Sequence, residues 1–262
     1  MKLPRTLRLQ IISAALLMLA NLSQAASVPA ADQTKLKQTF SANFPQIKVE
    51  SVRLSPVPNL YELVLENGES VFSDKTGEHL LVNAKLLEVN GPGQVVDVLE
   101  TRKSADRKAR LAKLDTQDAV VFKGKGATTT PLYVFTDVDC GYCRKFHEEV
   151  PELQAAGIDV VYFAWPRAGV TSPAGEVMSK IWCAKDQQAA MTKAKGGSRD
   201  ATAQESDCTA PIAEQVQLGL KMGVAGTPAV FTTDGTQVGG YVPAKDLIKM
   251  LKASQAASKP AS

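Results

Sequence analysis

Cys140-Gly141-Tyr142-Cys143 stands between two stretches of opposite character. Upstream, Leu132-Tyr133-Val134-Phe135-Thr136 is aromatic and β-branched and reads as a strand. Downstream, residues 144–150 read as the first turns of a helix. Two thiols separated by two residues, at a step from strand to helix, have the layout of a dithiol redox centre. Free backbone N–H groups and the positive end of the helix dipole favour a thiolate at Cys140. Such cysteines titrate well below the ordinary thiol value of about 8.5, and the thiolate is the form that attacks disulfides. Cys143, one turn in, is expected to be more shielded and able to close onto Cys140. A zinc site would need a second ligand pair at close spacing, and Cys183 and Cys208 do not supply one. Attachment of a c-type haem needs His after the second Cys, where Arg144 stands. The bland alternative is an inert structural disulfide. Neither metal nor cofactor is expected.

Outward from the motif, the 262 residues suggest one large or two modest domains, and 44% apolar residues suffice for a core. The formal charge of +3 comes from one end. Lys2, Arg5 and Arg8 lie in residues 1–25, which hold no acid; the rest balances 27 basic against 27 acidic residues. Nothing global points to nucleic acid or an anionic membrane. Residues 1–25 read as a secretory signal peptide, with a basic start, an apolar run over 11–20 and a cleavage site after Ala25. That run is too short to span a bilayer, which takes about 20 residues. Export places the cysteines where disulfides persist.

Residues 26–97 read as a small α+β domain. Leu36, Phe40 and Phe44 share one helix face, with Asp32 as its N-cap and Pro45 at its end. Strands follow over 47–54, around Tyr61, Leu63 and Leu65, and at Val71-Phe72, with Asn67-Gly68 as a hairpin turn. His79 follows a turn and is assigned no chemistry. About 70 residues bury little surface alone, so dimerisation is a natural expectation for this part. After Gly91-Pro92-Gly93, the segment 95–114 carries six basic residues and no wide apolar stripe. A helix of that kind bridges domains through solvent; it is read as a linker helix over 98–118, its charges a solvated face rather than a docking patch.

Residues 119–262 follow a different pattern. The strand before Cys140 and a strand over 158–165 that is apolar except for Asp159 flank the Cys140 helix, which Gly157 closes; this implies a parallel βαβ unit. Ser172-Pro173 starts a helical segment running to about Lys195, followed by a polar loop over 196–207 and a helix over 211–222. Gly226-Thr227-Pro228 leads into a strand, the Asp234-Gly235 turn, a return strand and a last helix over 243–254, with a frayed tail over 255–262.

Four blocks then carry a resemblance: Phe135-Thr136-Asp137, Cys140-Gly141-Tyr142-Cys143, Ile181-Trp182-Cys183-Ala184-Lys185-Asp186 and Gly226-Thr227-Pro228-Ala229-Val230. In this order, with a small N-terminal domain and a linker helix before them, the chain resembles the DsbC/DsbG family of periplasmic disulfide isomerases. The resemblance implies an α+β protein: a small N-terminal dimerisation domain, a linker helix, and a C-terminal thioredoxin-like domain with a helical insertion. It implies a V-shaped homodimer whose two sites face a shared cleft. It further implies misfolded, disulfide-containing exported proteins as clients and a membrane reductase of the DsbD type as electron donor. The pattern departs mainly in the Lys/Gly/Ser/Asp-rich loop between Cys183 and Cys208.

On this reading Cys140 is the attacking thiol and Cys143 the resolving one. Thr227 and Pro228 form the second half of the site, as in thioredoxin-like folds, where this Pro is cis and turns the preceding backbone toward an extended client chain. Gly141 and Tyr142 sit beside the thiols as part of the client-binding surface; Tyr142 either shapes access to the thiols or simply covers them. Cys183 and Cys208 are expected to form a structural disulfide enclosing a loop worth ~3.5 kcal/mol in chain entropy; a second redox pair is the alternative. His147 either helps a thiolate or is an exposed helix residue. Asp137 and Asp139 flank the site, and one of them is a candidate for proton transfer with Cys143. The expected activity is a protein disulfide isomerase or reductase. Its rivals are a dithiol oxidase, separable by redox poise and dimerisation, and a holding chaperone, separable by activity that survives loss of both thiols.

Overall fold

The computed structural model describes residues 27–126, 129–199 and 208–257, so the expected signal segment, most of the polar loop before Cys208 and the last five residues lie outside the described residues. The chain divides into two compact units.

The first unit takes in residues 27–65 and 70–84. Helix α1 (Ala30–Asn43) lies with a four-stranded antiparallel sheet in the order β1 (Val49–Leu54), β2 (Tyr61–Leu65), β3 (Ser70–Ser73) and β4 (Leu80–Leu81). Leu36 and Phe40 are buried with Val52, Leu63, Leu65 and Val71. Asp32 is not the cap. The helix starts three residues earlier, because Pro29 holds φ at −53° and its carbonyl accepts the Gln33 N–H at 3.0 Å. Asp32 instead places its charge in the first turn, where the helix dipole favours it. His79 sits on the surface and pairs with Asp74 at 2.7 Å.

The second unit takes in residues 66–69 and the chain from Lys85 onward, where a hairpin of β5 (Leu87–Gly91) and β6 (Gln94–Asp97) is followed by helix α2 (Val98–Leu111). Residues 95–97 are thus strand rather than helix, and Asp97 caps α2 by accepting the Glu100 N–H. The solvated-face reading of this helix also needs correction. Arg107 is 4% exposed. Its guanidinium donates to the Met222 carbonyl at 2.9 Å, pairs with Glu100 at 2.7 Å and lies over the Phe231 ring. A long cation with an apolar stem can anchor a helix that lacks an apolar stripe.

The rest is a five-stranded sheet in the order β11 (Gln237–Gly239), β10 (Ala229–Phe231), β8 (Thr130–Thr136), β9 (Ile158–Ala164), β7 (Val120–Phe122). The central pair, β8 and β9, is parallel, and the other pairings are antiparallel. Every residue of β9 is buried, as a strand covered on both faces requires. Between β8 and β9 run α3 (Gly141–Glu148) and α4 (Val150–Ala155), separated at Glu149 and followed by Gly157 at φ +79°. Three further helices follow β9: α5 (Pro173–Trp182), α6 (Gln187–Lys195) and α7 (Thr209–Met222). The single segment expected over 173–195 is broken because Asp186 accepts the Ala189 N–H and starts a new helix. On α7, a Cβ at Gly219 would stand 2.4 Å from the Trp165 ring, so only glycine lets this helix approach so closely. The final helix α8 (Ala244–Ala257) extends beyond the expected 254 into the tail read as frayed. Its first N–H, at Ala244, is accepted by the Glu149 carboxylate at 2.5 Å. No helix among the described residues is long and apolar enough to cross a membrane.

Candidate active site

Strand β8 ends at Thr136, and the chain turns through Asp137 to Asp139 before α3 begins. Asp137 makes that turn. Its Oδ1 accepts the Asp139 N–H at 2.7 Å, and its Oδ2 accepts both the backbone N–H and Nε of Arg167 at 2.9 Å. Burial disfavours this carboxylate, but those three donors and the guanidinium charge outweigh it and hold Asp137 below its ordinary range. Its carboxylate is ionised and fully engaged. It is a turn-former and an anchor for Arg167, and its geometry does not suit proton transfer with Cys143. Asp139 faces outward toward Arg199 at 2.8 Å and Arg144 at 3.7 Å.

The turn delivers Cys140 to the N-cap position of α3, and Cys143 lies in the first turn. Both are free thiols, 4% and 1% exposed. Burial would raise the Cys140 thiol. Contact with the Thr227 side chain, the backbone N–H and thiol of Cys143, and the charge of Arg167 overcome it and leave Cys140 below its ordinary value. Burial dominates at Cys143 and pushes its thiol up, although Lys195, the Thr136 hydroxyl and the Asp137 backbone oppose it. The two sulfurs are therefore unlike: Cys140 is held below its ordinary value and Cys143 above it.

The Thr227-Pro228 bond is cis, and the Thr227 carbonyl accepts a hydrogen bond from Cys140 Sγ at 3.1 Å. The Thr227 hydroxyl is buried with no ordinary hydrogen-bond partner. A thiolate at Cys140 supplies the acceptor it lacks. Gly141 is exposed and a side chain there would meet open space. Tyr142 is 64% exposed, so it does not cover the thiols; it stacks on Tyr241. The Tyr241 hydroxyl donates to Glu149, and Lys145 lies over the Tyr241 ring at 4.7 Å.

His147 fits neither role considered for it. It is buried between the Tyr162 hydroxyl and Thr192 Oγ1, both at 3.1 Å, with the Phe122 ring edge-on. Burial, with the nearby charge of Lys195, lowers its pKa to about 4. It is neutral near pH 7 and lends no positive charge to a thiolate. Cys183 and Cys208 are joined by a disulfide that ties the end of α5 to the start of α7.

Four polar side chains at the site went unnoticed in the sequence: Arg167, Lys195, Glu149 and Tyr241. Arg167, Lys195 and Tyr241 come from distant elements, and Glu149, at the end of α3, is drawn in by its bonds to Tyr241 and Ala244. The one local signal was Lys195, which closes the basic end of a helix and looks like any C-terminal lysine. Among the described residues no group of acidic, His and Cys side chains is arranged to hold a metal ion.

The chain matches two family models: the thioredoxin-like domain over residues 116–255 and the disulfide bond isomerase protein N-terminal domain over residues 27–95. It is 35% identical to the thiol:disulfide interchange protein DsbC of Dickeya dadantii, over 88% of this chain and 92% of that one. It is 33% identical to DsbC of Escherichia coli, over 86% and 89%. Among solved structures, a disulfide interchange protein from Neisseria gonorrhoeae aligns with a TM-score of 0.47 at 26% identity, covering 54% of this chain and 99% of that one.

Proposed function

The chain belongs to the DsbC family of thiol:disulfide interchange proteins, an α+β fold with an N-terminal isomerase domain and a thioredoxin-like domain, and on that premise we propose that Cys140-Gly141-Tyr142-Cys143 is its working dithiol. It exchanges and rearranges disulfides. The Cys140 thiolate attacks a wrong disulfide in a client and forms a mixed disulfide. The freed client thiolate then attacks another client sulfur and releases Cys140 reduced. In the alternative exit, Cys143 attacks Cys140, and the client leaves reduced. The observation that carries this reading is the contrast between the two sulfurs, with burial raising Cys143 while Thr227, the Cys143 N–H and Arg167 lower Cys140.

The Thr227 backbone beside the thiol, together with Pro228, Gly141 and exposed Tyr142, forms the surface on which an extended client segment is held. We assign 26–97 to dimerisation, 98–118 to a linker helix and 119–262 to catalysis, with 1–25 as a cleaved signal and the periplasm as the compartment. Exposed Leu87, Val89, Val95 and Val96 on the β5–β6 hairpin support pairing with a second copy of the chain. The clients are misfolded exported proteins, and a membrane reductase of the DsbD type returns the dithiol to its reduced state. The Cys183–Cys208 bridge is structural.

The test is refolding of a scrambled multi-disulfide protein. Cys140→Ser abolishes it, and Cys143→Ser leaves mixed disulfides trapped. Full activity in Cys140→Ser would overturn the assignment.

A further inference from the structure

A cation is fixed beside the attacking sulfur. β9 ends at Ala164, and the Trp165 N–H donates to the Thr136 carbonyl at 2.8 Å, so the chain leaves the sheet next to the end of β8. Two residues on, Arg167 meets Asp137. Its backbone N–H and its Nε both donate to Asp137 Oδ2 at 2.9 Å. Asp137 is 2% exposed, and its carbonyl accepts the Cys140 N–H at 3.3 Å. One buried residue thus holds Arg167 through its carboxylate and Cys140 through its backbone. The bond to Asp137, and then the charges of Asp137, Cys140 and Cys143, outweigh burial and keep the guanidinium above its ordinary range.

The outer edge of that guanidinium is open. A guanidinium carries its N–H donors in a rigid fork. Nε–H goes to Asp137, and among the described residues the two terminal nitrogens have no hydrogen-bond partner. The side chain is 48% exposed. The carboxylates nearby are engaged elsewhere: Asp139 pairs with Arg199 and Arg144, Glu149 bonds Tyr241 and the Ala244 N–H, and Glu148 lines a cavity with His147 and Thr192. Around Cys140 the cations Arg144, Arg167 and Arg199 outnumber the carboxylates Asp137 and Asp139 that pair with them. Of the three, only Arg167 is held by a buried carboxylate, so its fork is set in place with little rotamer freedom left to lose. A thiolate at Cys140 offsets part of the positive excess. Once Cys140 is bonded to a client, that negative charge is gone and the excess faces the client.

We propose that Arg167 selects clients by charge: its terminal nitrogens take the carboxylate of an Asp or Glu beside the client's cysteine, so a client with an acid there is held in the mixed disulfide in preference to one with an amide or a lysine. The match is one of shape as well as sign. A planar fork offers parallel N–H groups to the two oxygens of a carboxylate, an amide answers with one neutral oxygen, and an ammonium is repelled. The advantage appears when the Cys140–client bond forms. Cys140 loses its charge to the second client sulfur, which departs with the electron pair of the broken client disulfide, and the client's carboxylate takes the place of that charge beside Arg167. Arg167 touches none of the reacting sulfurs in this scheme; it sets which client stays. The proposal rests on the reading of Cys140 given above and adds the class of client that site prefers.

The test is an equilibrium exchange on the full chain carrying Cys143→Ser, which leaves the mixed disulfide in place. Peptides that differ only in Glu, Gln or Lys beside one cysteine compete for Cys140, and the mixed disulfides are measured by intact mass. Both peptide ends are blocked, so the side chain is the sole carboxylate. The peptides' own thiol chemistry cancels when the same pair is compared in Arg167→Gln. With Arg167 present, the Glu peptide is favoured over the Gln peptide roughly fivefold more than in Arg167→Gln, the scale of a charge pair held in fixed geometry, and the Lys peptide is disfavoured. The preference shrinks toward unity as salt rises to molar levels. Arg167→Lys recovers part of it as a point charge without the fork, and Arg144→Gln keeps it within about twofold. The salt series on the chain that retains Arg167 keeps the test open where Arg167→Gln disturbs the Asp137 turn. An equal Glu-to-Gln ratio with and without Arg167, a preference unchanged by molar salt, or one lost in Arg144→Gln instead overturns the proposal. If peptides bond to Cys140 without regard to charge, this proposal alone falls; if none bonds there, the reading of the dithiol falls with it.

Discussion

Tyr142 and Tyr241 stack with ring centroids 6.0 Å apart and planes 24° from parallel, although 99 residues separate them in the chain. One ring comes from the dithiol segment and the other from the loop before α8, so an exposed aromatic platform borders the site. Removing Tyr142 should cost little stability, because its ring is mostly in solvent. It should weaken client binding by about 1 kcal/mol, the scale of one aromatic contact. The expected result for Tyr142→Ala is a roughly fivefold lower kcat/KM toward a scrambled protein, with an unchanged unfolding midpoint. Small-molecule disulfides, which do not reach the platform, should react at the wild-type rate.

His147 gives a prediction about pH. Its folded pKa of about 4 is depressed from the ordinary value of 6.5. The native state therefore binds this proton less readily than the unfolded chain. Stability from this site is fully present above pH 6.5 and is lost as the pH falls from 6.5 toward 4. The loss should approach roughly 3.5 kcal/mol, a pKa about 2.5 lower at on the order of 1.4 kcal/mol per pKa unit. Urea unfolding at a series of pH values should show this slope in the wild type. It should be flattened in His147→Gln, which keeps a donor and an acceptor without titrating. An equal slope in both proteins would place the acid sensitivity elsewhere.

Arg107 anchors α2 through Met222, Glu100 and the Phe231 ring. Arg107→Ala leaves a buried carbonyl without its donor and opens a gap beside Phe231. A loss of about 2–4 kcal/mol is expected from a truncated buried, charged network. Arg107→Lys should recover only part, since a lysine cannot reproduce the fork of donors. Denaturant midpoints measure both, and alkylation of Cys140 should proceed at the wild-type rate.

The bridge between Cys183 and Cys208, 25 residues apart, closes a loop whose chain entropy is worth ~3.5 kcal/mol. The double variant Cys183→Ser/Cys208→Ser should unfold at correspondingly lower denaturant. Its mixed-disulfide kinetics at Cys140 should stay within about twofold of wild type. A large kinetic defect in a folded double variant would give this pair a redox role.

The legible parts of this molecule were those written in neighbouring residues. A β-branched run before Cys140 and an amphipathic turn after it define a strand-to-helix step, and the buried run over 158–164 forces a parallel partner. Ser172 followed by Pro173 starts α5, with the serine side chain accepting the Gly175 N–H at 3.1 Å. What escaped was set by distance. β7 has three residues and owes its pairing to β9, about 40 residues on. Lys195, Arg107 and His147 are polar residues on helices that local pattern assigns to solvent, and each is buried because a distant element supplies its partners. Asp137 is the converse: a carboxylate beside two thiols invites an acid–base role, but Arg167, 30 residues later, engages it and helps hold its carboxyl below the ordinary range.

Glu149 holds the N–H of Ala244, 95 positions further on. The end of the dithiol helix is thus fastened by a segment far along the chain. A nascent chain shorter than this already owns both reactive sulfurs but not the clasp beneath them. Cutting the chain back into the helix that begins at Ala244 would accordingly be felt at the reactive centre.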